Sequence, residues 1–235
     1  MRKGLGTLIL TGATLTLASV GPLIFPIAES GTGTLSTLAL HWLIPSIAVL
    51  AIIAFVVRNT YPLITRSIAW GALSGCIATA GLEAIRIPGS HMGYMPGSMP
   101  KLMGVLLLNQ FMTGPTVLSN IAGWVYHFWN GAAFGIIYVL FLGTTRRWPA
   151  WIYGLVIGII FMLSPVVRSL GIGYFGLQFS IGFLIVVSLA HLAFGILLGW
   201  LARRFAGSQS SAFFWCFRFL FGKASREEQP AAAHP

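Results

Sequence analysis

Residues 179–204 read FSIGFLIVVSLAHLAFGILLGWLARR. No Asp, Glu, Lys or Arg interrupts the run from Phe179 to Ala202, and Arg203 and Arg204 close it. At about 1.5 Å of rise per residue, such a run forms a helix that crosses a hydrocarbon layer roughly 30 Å thick. Five further windows share this character, at 5–28, 36–57, 65–85, 117–143 and 149–167. The expected fold is therefore an all-α, polytopic membrane bundle of about six transmembrane helices. Composition agrees: 57% of the 235 residues are hydrophobic and 8% are charged, against about a quarter charged in a soluble domain.

The charges that remain report orientation. With six crossings, one side receives Arg2, Lys3, Arg58, Arg66, Arg146, Arg147, Arg203, Arg204, Arg218, Lys223 and Arg226, and the other only Arg86, Lys101 and Arg168. Eleven against three follows the rule that cytoplasmic loops hold the excess of Lys and Arg. Both termini are thus expected in the cytoplasm, with the chain in a bacterial inner membrane. The net charge of +10 does not point to nucleic acid, because the basic residues sit singly or in pairs and form no stripe. The opening Met-Arg-Lys and apolar run resemble a secretory signal, but the run exceeds the usual 7–15-residue signal core and is read as a retained first helix.

Three regions follow from this division. Residues 1–60 hold two amino-terminal helices, 61–205 hold four more, and 206–235 form an interfacial segment and a disordered cytoplasmic tail. The aromatic cluster Phe213, Phe214, Trp215, Phe217, Phe219 and Phe221, interleaved with Arg218 and Lys223, suits a helix lying in the headgroup layer. Within the second region, 86–116 is a Met- and Pro-rich outer segment whose apolar stretch at 101–113 is too short to span.

The four helices of 61–205 show an internal repeat. HFWNGAAFG places His127, Gly131 and Gly135, and HLAFGILLG places His191, Gly195 and Gly199, at one spacing. The preceding helices carry Gly71 and Gly75 before Arg86, and Gly154 and Gly158 before Arg168. A duplicated two-helix hairpin in parallel orientation is expected, related by a pseudo-two-fold axis along the membrane normal. The eight glycines are expected to serve packing, since small residues four apart let helix backbones approach.

Between about residues 70 and 204 the chain resembles the uncharacterised bacterial inner-membrane proteins grouped as YagU-like. The resemblance rests on GYMPGSMPKLMG, WVYHFWNGAAFGIIY, WPAWIYGLVIG and LAHLAFGILLG. It implies a duplicated four-helix unit and carries no activity or site.

Ionisable groups inside a membrane helix are costly and mark candidate sites. Counted from the outer helix ends, His41 lies about five residues deep, His127 about ten and His191 about twelve, so the three imidazoles are candidates to converge. His127 and His191 could ligate a b-type haem or a transition metal, or each could hydrogen-bond a neighbouring helix. His91, Met92, Met95, Met99 and Met103 in HMGYMPGSMPKLM offer soft ligands for copper; methionine also serves as an apolar filler. Glu83, Arg86 and Arg168 make a polar cluster at the outer edge that could take a lipid headgroup or an anionic ligand, or simply anchor helices.

The chain has no Asp, no H-E-x-x-H, no G-x-S-x-G and no phosphate-binding loop, which leaves hydrolytic catalysis without its parts. Three functional classes stay open. They are a membrane binding or transport protein handling a metal or metal cofactor, an accessory subunit of a larger membrane complex, and a haem-bearing redox subunit.

Overall fold

A computed structural model describes residues 2–221; the tail expected to be disordered, with Lys223 and Arg226, lies outside the described residues. These form helices and connecting turns, with no strand among them. Helix α1 spans Arg2–Glu29, α2 spans Leu35–Val56, α3 Pro62–His91 and α4 Met99–Leu107. They are followed by α5, Val117–Phe141, α6, Trp148–Leu163, α7, Pro165–Ser169, α8, Ile181–Ala206, and α9, Ala212–Phe221.

Five helical stretches are long and apolar enough to cross a membrane: α1, α2, α3, α6 with α7, and α8. Their outward faces are apolar, with Val56 68%, Phe55 65% and Ile160 62% exposed. Side chains of this kind are stable against lipid and not against water, which makes the chain a membrane protein. Helix α5 has a similar length, 25 residues, but carries Asn120, His127 and Asn130 along it.

Proline explains the irregular helices. Pro45 has no N–H for the carbonyl four residues back, and the turn just before it, Ala39–Leu43, widens to a π-helix in which the Ile44 N–H bonds to the Ala39 carbonyl; a π-turn is a common way to absorb such a fault. Pro165 forces Ser164 into extended backbone (φ −71°, ψ 162°) and separates α6 from α7, as the residue before a proline prefers. The expected helix at 149–167 is thus broken near its end. Pro22 and Pro26 lie inside α1. Helix α3 runs to His91, past the expected end at residue 85, with Pro88 inside its last turn.

Helices α5, α3, α8 and α6 form a row. Gly71 lies against Gly135, and Gly75 against Gly131, so closely that a Cβ on any of these four would strike backbone of the facing helix. Gly154 meets Gly195 and Gly199 meets Ala150 in the α6–α8 pair. Leu197 fits over Gly81 and Val186 over Gly89 where α3 meets α8. The glycines of the two hairpins do not meet their partners in the same register: Gly75 faces Gly131, whereas Gly158 faces His191. Helix α4 packs on α5 through Gly104 against Ser119 and Gly123 against Pro100, so the short segment of 86–116 is a nine-residue helix held on the bundle.

Connections 30–34, 92–116 and 164–180 gather at one pole, here the upper pole, and 57–61, 142–147 and 207–211 at the lower. A polar clasp closes the lower pole. Thr144 N–H donates to the Gln209 carbonyl at 2.8 Å, Gln209 N–H donates to Thr144 Oγ1 at 2.9 Å, and Ser67 Oγ donates to Gln209 Oε1 at 3.2 Å. Arg203 donates to the carbonyls of Thr144 (3.0 Å) and Thr145 (2.8 Å). Helix α9 leaves this clasp with Phe214, Trp215 and Arg218 exposed.

Candidate functional site

Glu83 and Arg86 stand three residues apart on α3 and so share a face. Arg86 Nη1 donates to Glu83 Oε1 at 2.8 Å, and His127 Nε2 of α5 meets the same oxygen at 2.8 Å. A carboxylate only accepts, so His127 carries its proton on Nε2 and leaves Nδ1 as a bare acceptor. Glu83 is 6% and Arg86 7% exposed. Opposite charges cancel within this cluster, which is what allows it to persist away from water.

His191 of α8 is buried, and its Nδ1 donates to the Val187 carbonyl at 2.8 Å; Nε2 is then the bare nitrogen. Phe161 of α6 stacks on it, with ring centroids 6.1 Å apart and planes 23° from parallel. Gly158 provides the space, since a Cβ there would lie 2.9 Å from His191 Cγ.

Arg86, His127, His191 and Phe161 reach one cavity of about 180 Å³ in the upper half of the bundle. Its polar wall is Arg86, His127, His191, Asn130, Thr79 and Ser164, and Phe25, Phe134, Phe161 and Phe194 form much of its apolar wall. Met99 and Met103 of α4 close it from above, while Pro22 and Pro26 of α1 and Ile160 of α6 border its flank. Of the unpartnered buried polar atoms among the described residues, Asn130 Oδ1 and Trp129 Nε1 lie against Gly21 of α1, and Arg86 keeps N–H donors beyond the Nη1 that Glu83 receives.

The expected site residues separate into groups. His127 and His191 reach the same cavity, whereas His41 is exposed in the π-turn of α2, its Nδ1 bonded to the Thr37 carbonyl of its own helix at 2.9 Å. The methionine motif also divides. His91 and Met92 are exposed, Met95 packs among Met162, Val167 and Phe183, and Met99 and Met103 face the cavity. No group of three or more His, Cys, Asp or Glu that could hold a metal ion occurs among the described residues.

The outer-edge cluster is divided too. Glu83 and Arg86 are buried inside α3, while Arg168 is exposed on α7 with its guanidinium 5.6 Å from the Tyr174 ring. The contact between Glu83 and His127 and the part played by Asn130 were not read from sequence. An intramembrane carboxylate signals that some partner exists, but nothing in the chain says which.

As to what could be held, His127 and His191 present nitrogens of opposite kind, Nδ1 and Nε2. The volume admits about one ring: a cavity of about 150 Å³ lined by apolar side chains takes up benzene. A four-ring haem would require the helices to part. No protein-family model, curated protein or solved structure matches this chain.

Proposed function

We propose that the chain is a six-span membrane protein that binds, and carries or presents, a small lipid-soluble molecule in the cavity between α1, α3, α5, α6 and α8. The observation that carries this reading is that the neutralised Glu83–Arg86–His127 cluster and His191 present Arg86, His127 and His191 to one largely apolar cavity that borders the exposed flank at Ile160. A few convergent polar groups in an apolar wall are the form a small-molecule site takes. Helix α5 is the sixth span in this reading: its 25 residues reach from pole to pole beside α3, and its polar groups face inward. The lower pole, with Arg58, Arg66, Arg146, Arg147, Arg203, Arg204 and Arg218, is then cytoplasmic in a bacterial inner membrane. The hairpins α3–α5 and α6–α8 are read as a duplication whose two copies pack in different registers, in keeping with the YagU-like resemblance. Catalysis is not part of the proposal.

The test is extraction of the protein with its surrounding bilayer, followed by mass spectrometry of the small molecules it retains. Wild-type protein should hold one compound at near-stoichiometric level that Ile160→Trp, at the flank of the cavity, does not. Identical small-molecule content in the two samples would sink the proposal.

A second reading has support in the meeting of His127, His191, Met99 and Met103 on one cavity: a soft metal such as copper held by imidazole and thioether. Elemental analysis of the same sample decides it, with one metal per chain expected and its loss in His191→Ala. A haem would show as a Soret band lost with either histidine.

A further inference from the structure

The cavity also constrains the class of its ligand, an inference that rests on the binding reading above. We propose that the ligand is a membrane-dissolved molecule whose head is a single neutral six-membered ring bearing carbonyl or hydroxyl oxygens, the chemistry of quinones and quinols.

Size comes first. A volume of about 180 Å³ is slightly more than the roughly 150 Å³ that takes up benzene, which leaves room for one ring with oxygen substituents and not for a sterol or a nucleotide. Charge comes second. Glu83 already offsets Arg86, and both imidazoles are engaged as neutral donors. An anionic head would therefore leave a net charge uncompensated in a low-dielectric interior, and a cationic one likewise.

Hydrogen bonding comes third. Arg86 lines the cavity with Nη1 given to Glu83, and its guanidinium keeps further N–H donors for which a ring carbonyl or hydroxyl oxygen is an acceptor. His127 and His191 line it with Nε2 and Nδ1 engaged, and their other ring nitrogens accept from a ring hydroxyl. An oxygen-free ring would meet none of these groups.

The walls and the mouth agree. Phe25, Phe134, Phe161 and Phe194 line the cavity, and aromatic faces hold a flat ring in stacked or edge-on contact. Pro22 and Pro26 of α1 and Ile160 of α6 border the same cavity, and Ile160 is 62% exposed on the lipid-facing side. The opening is thus lateral, between α1 and α6. A ring can enter there from the hydrocarbon and leave an alkyl tail behind in it, so the cavity need not enclose the whole molecule.

The experiment uses the full chain in nanodiscs and three probes that share a decyl tail: a decyl-substituted benzoquinone in its oxidised and reduced forms, decylbenzene, and 4-decylbenzoate. Thermal unfolding midpoints are read against probe concentration, since a ligand of the native state raises the midpoint. The quinone or quinol should raise it at concentrations at least tenfold below those at which the other two have any effect. His191→Phe, similar in shape and without the ring nitrogen, should weaken the quinol by roughly tenfold. Ile160→Trp should remove the response, read as the probe-induced shift relative to the same variant without probe.

Stronger stabilisation by the benzoate would overturn the neutral-head assignment and leave the binding reading standing. A quinone response that survives Ile160→Trp would place the ligand elsewhere and overturn the assignment of the cavity. No response to any of the three overturns the ring class; the broader reading is then judged by whether the extracted protein retains a compound of another kind.

Discussion

Arg86 decides more than any other residue in this protein. Arg86 is 7% exposed, and a buried cation persists only with a partner. Glu83 is that partner at 2.8 Å, and the same carboxylate oxygen receives His127. Removing one member should therefore be worse than removing both. Glu83→Leu is expected to cost about 3–5 kcal/mol, the range for a buried pair broken on one side. Glu83→Leu combined with Arg86→Met should recover most of that loss. Reversible unfolding in mixed micelles measures the cycle. Equal instability of the single and double variants would show that Glu83 does not serve to neutralise Arg86. The sequence placed these two residues on one helix face through their spacing of three. It could not place His127 against them, because that contact depends on how α5 is set against α3.

At the scale of the helix, proximity is governed by glycine. A Cβ at Gly75 would overlap the Gly131 carbonyl, and one at Gly71 would lie 2.9 Å from the Gly135 oxygen. Backbone cannot rotate aside as a side chain can, so the helices must separate to admit a methyl group. Gly75→Ala is expected to cost about 1–3 kcal/mol, the range for overpacking. Gly12→Ala on α1, where a Cβ meets nothing within 4 Å, should be neutral or stabilising by up to about 1 kcal/mol through helix propensity. Unfolding of the two variants under one condition separates close packing from propensity; similar effects would mean that the α3–α5 contact does not limit stability. Small-xxx-small spacing announced that close contacts exist. It did not announce the register, since Gly154 offers one face to any partner within a turn, and the side chain of His191 at Gly158 settles which turn is used.

For the molecule as a whole, the six-span reading makes a prediction about sides. Met112 is 98% exposed in the connection between α4 and α5, and Arg146 is exposed in the connection between α5 and α6. In a background lacking Cys76 and Cys216, Met112→Cys should react with a membrane-impermeant maleimide added outside intact cells. Arg146→Cys should react only after the membrane is opened. Reaction of both from outside would mean that α5 does not cross, and the cavity would lose its assignment to the outer half.

What the amino-acid sequence determined alone is the solvent. Uncharged apolar runs of spanning length can be satisfied only by lipid, so membrane residence and helical structure follow from composition and length before any packing is known. The kinks at Pro45 and Pro165 also follow from local chemistry, because the missing N–H belongs to the residue itself. The site was decided only by the tertiary structure. His41, His127 and His191 look alike in sequence, and the fold leaves the first exposed and sends the other two to one cavity. The Met-rich segment looks like one ligand set and is spread over three environments. Residues far apart in the chain meet through helix register and rotation, and in lipid these are set by the fit of small side chains, because an apolar surface gains little by turning away from an apolar solvent.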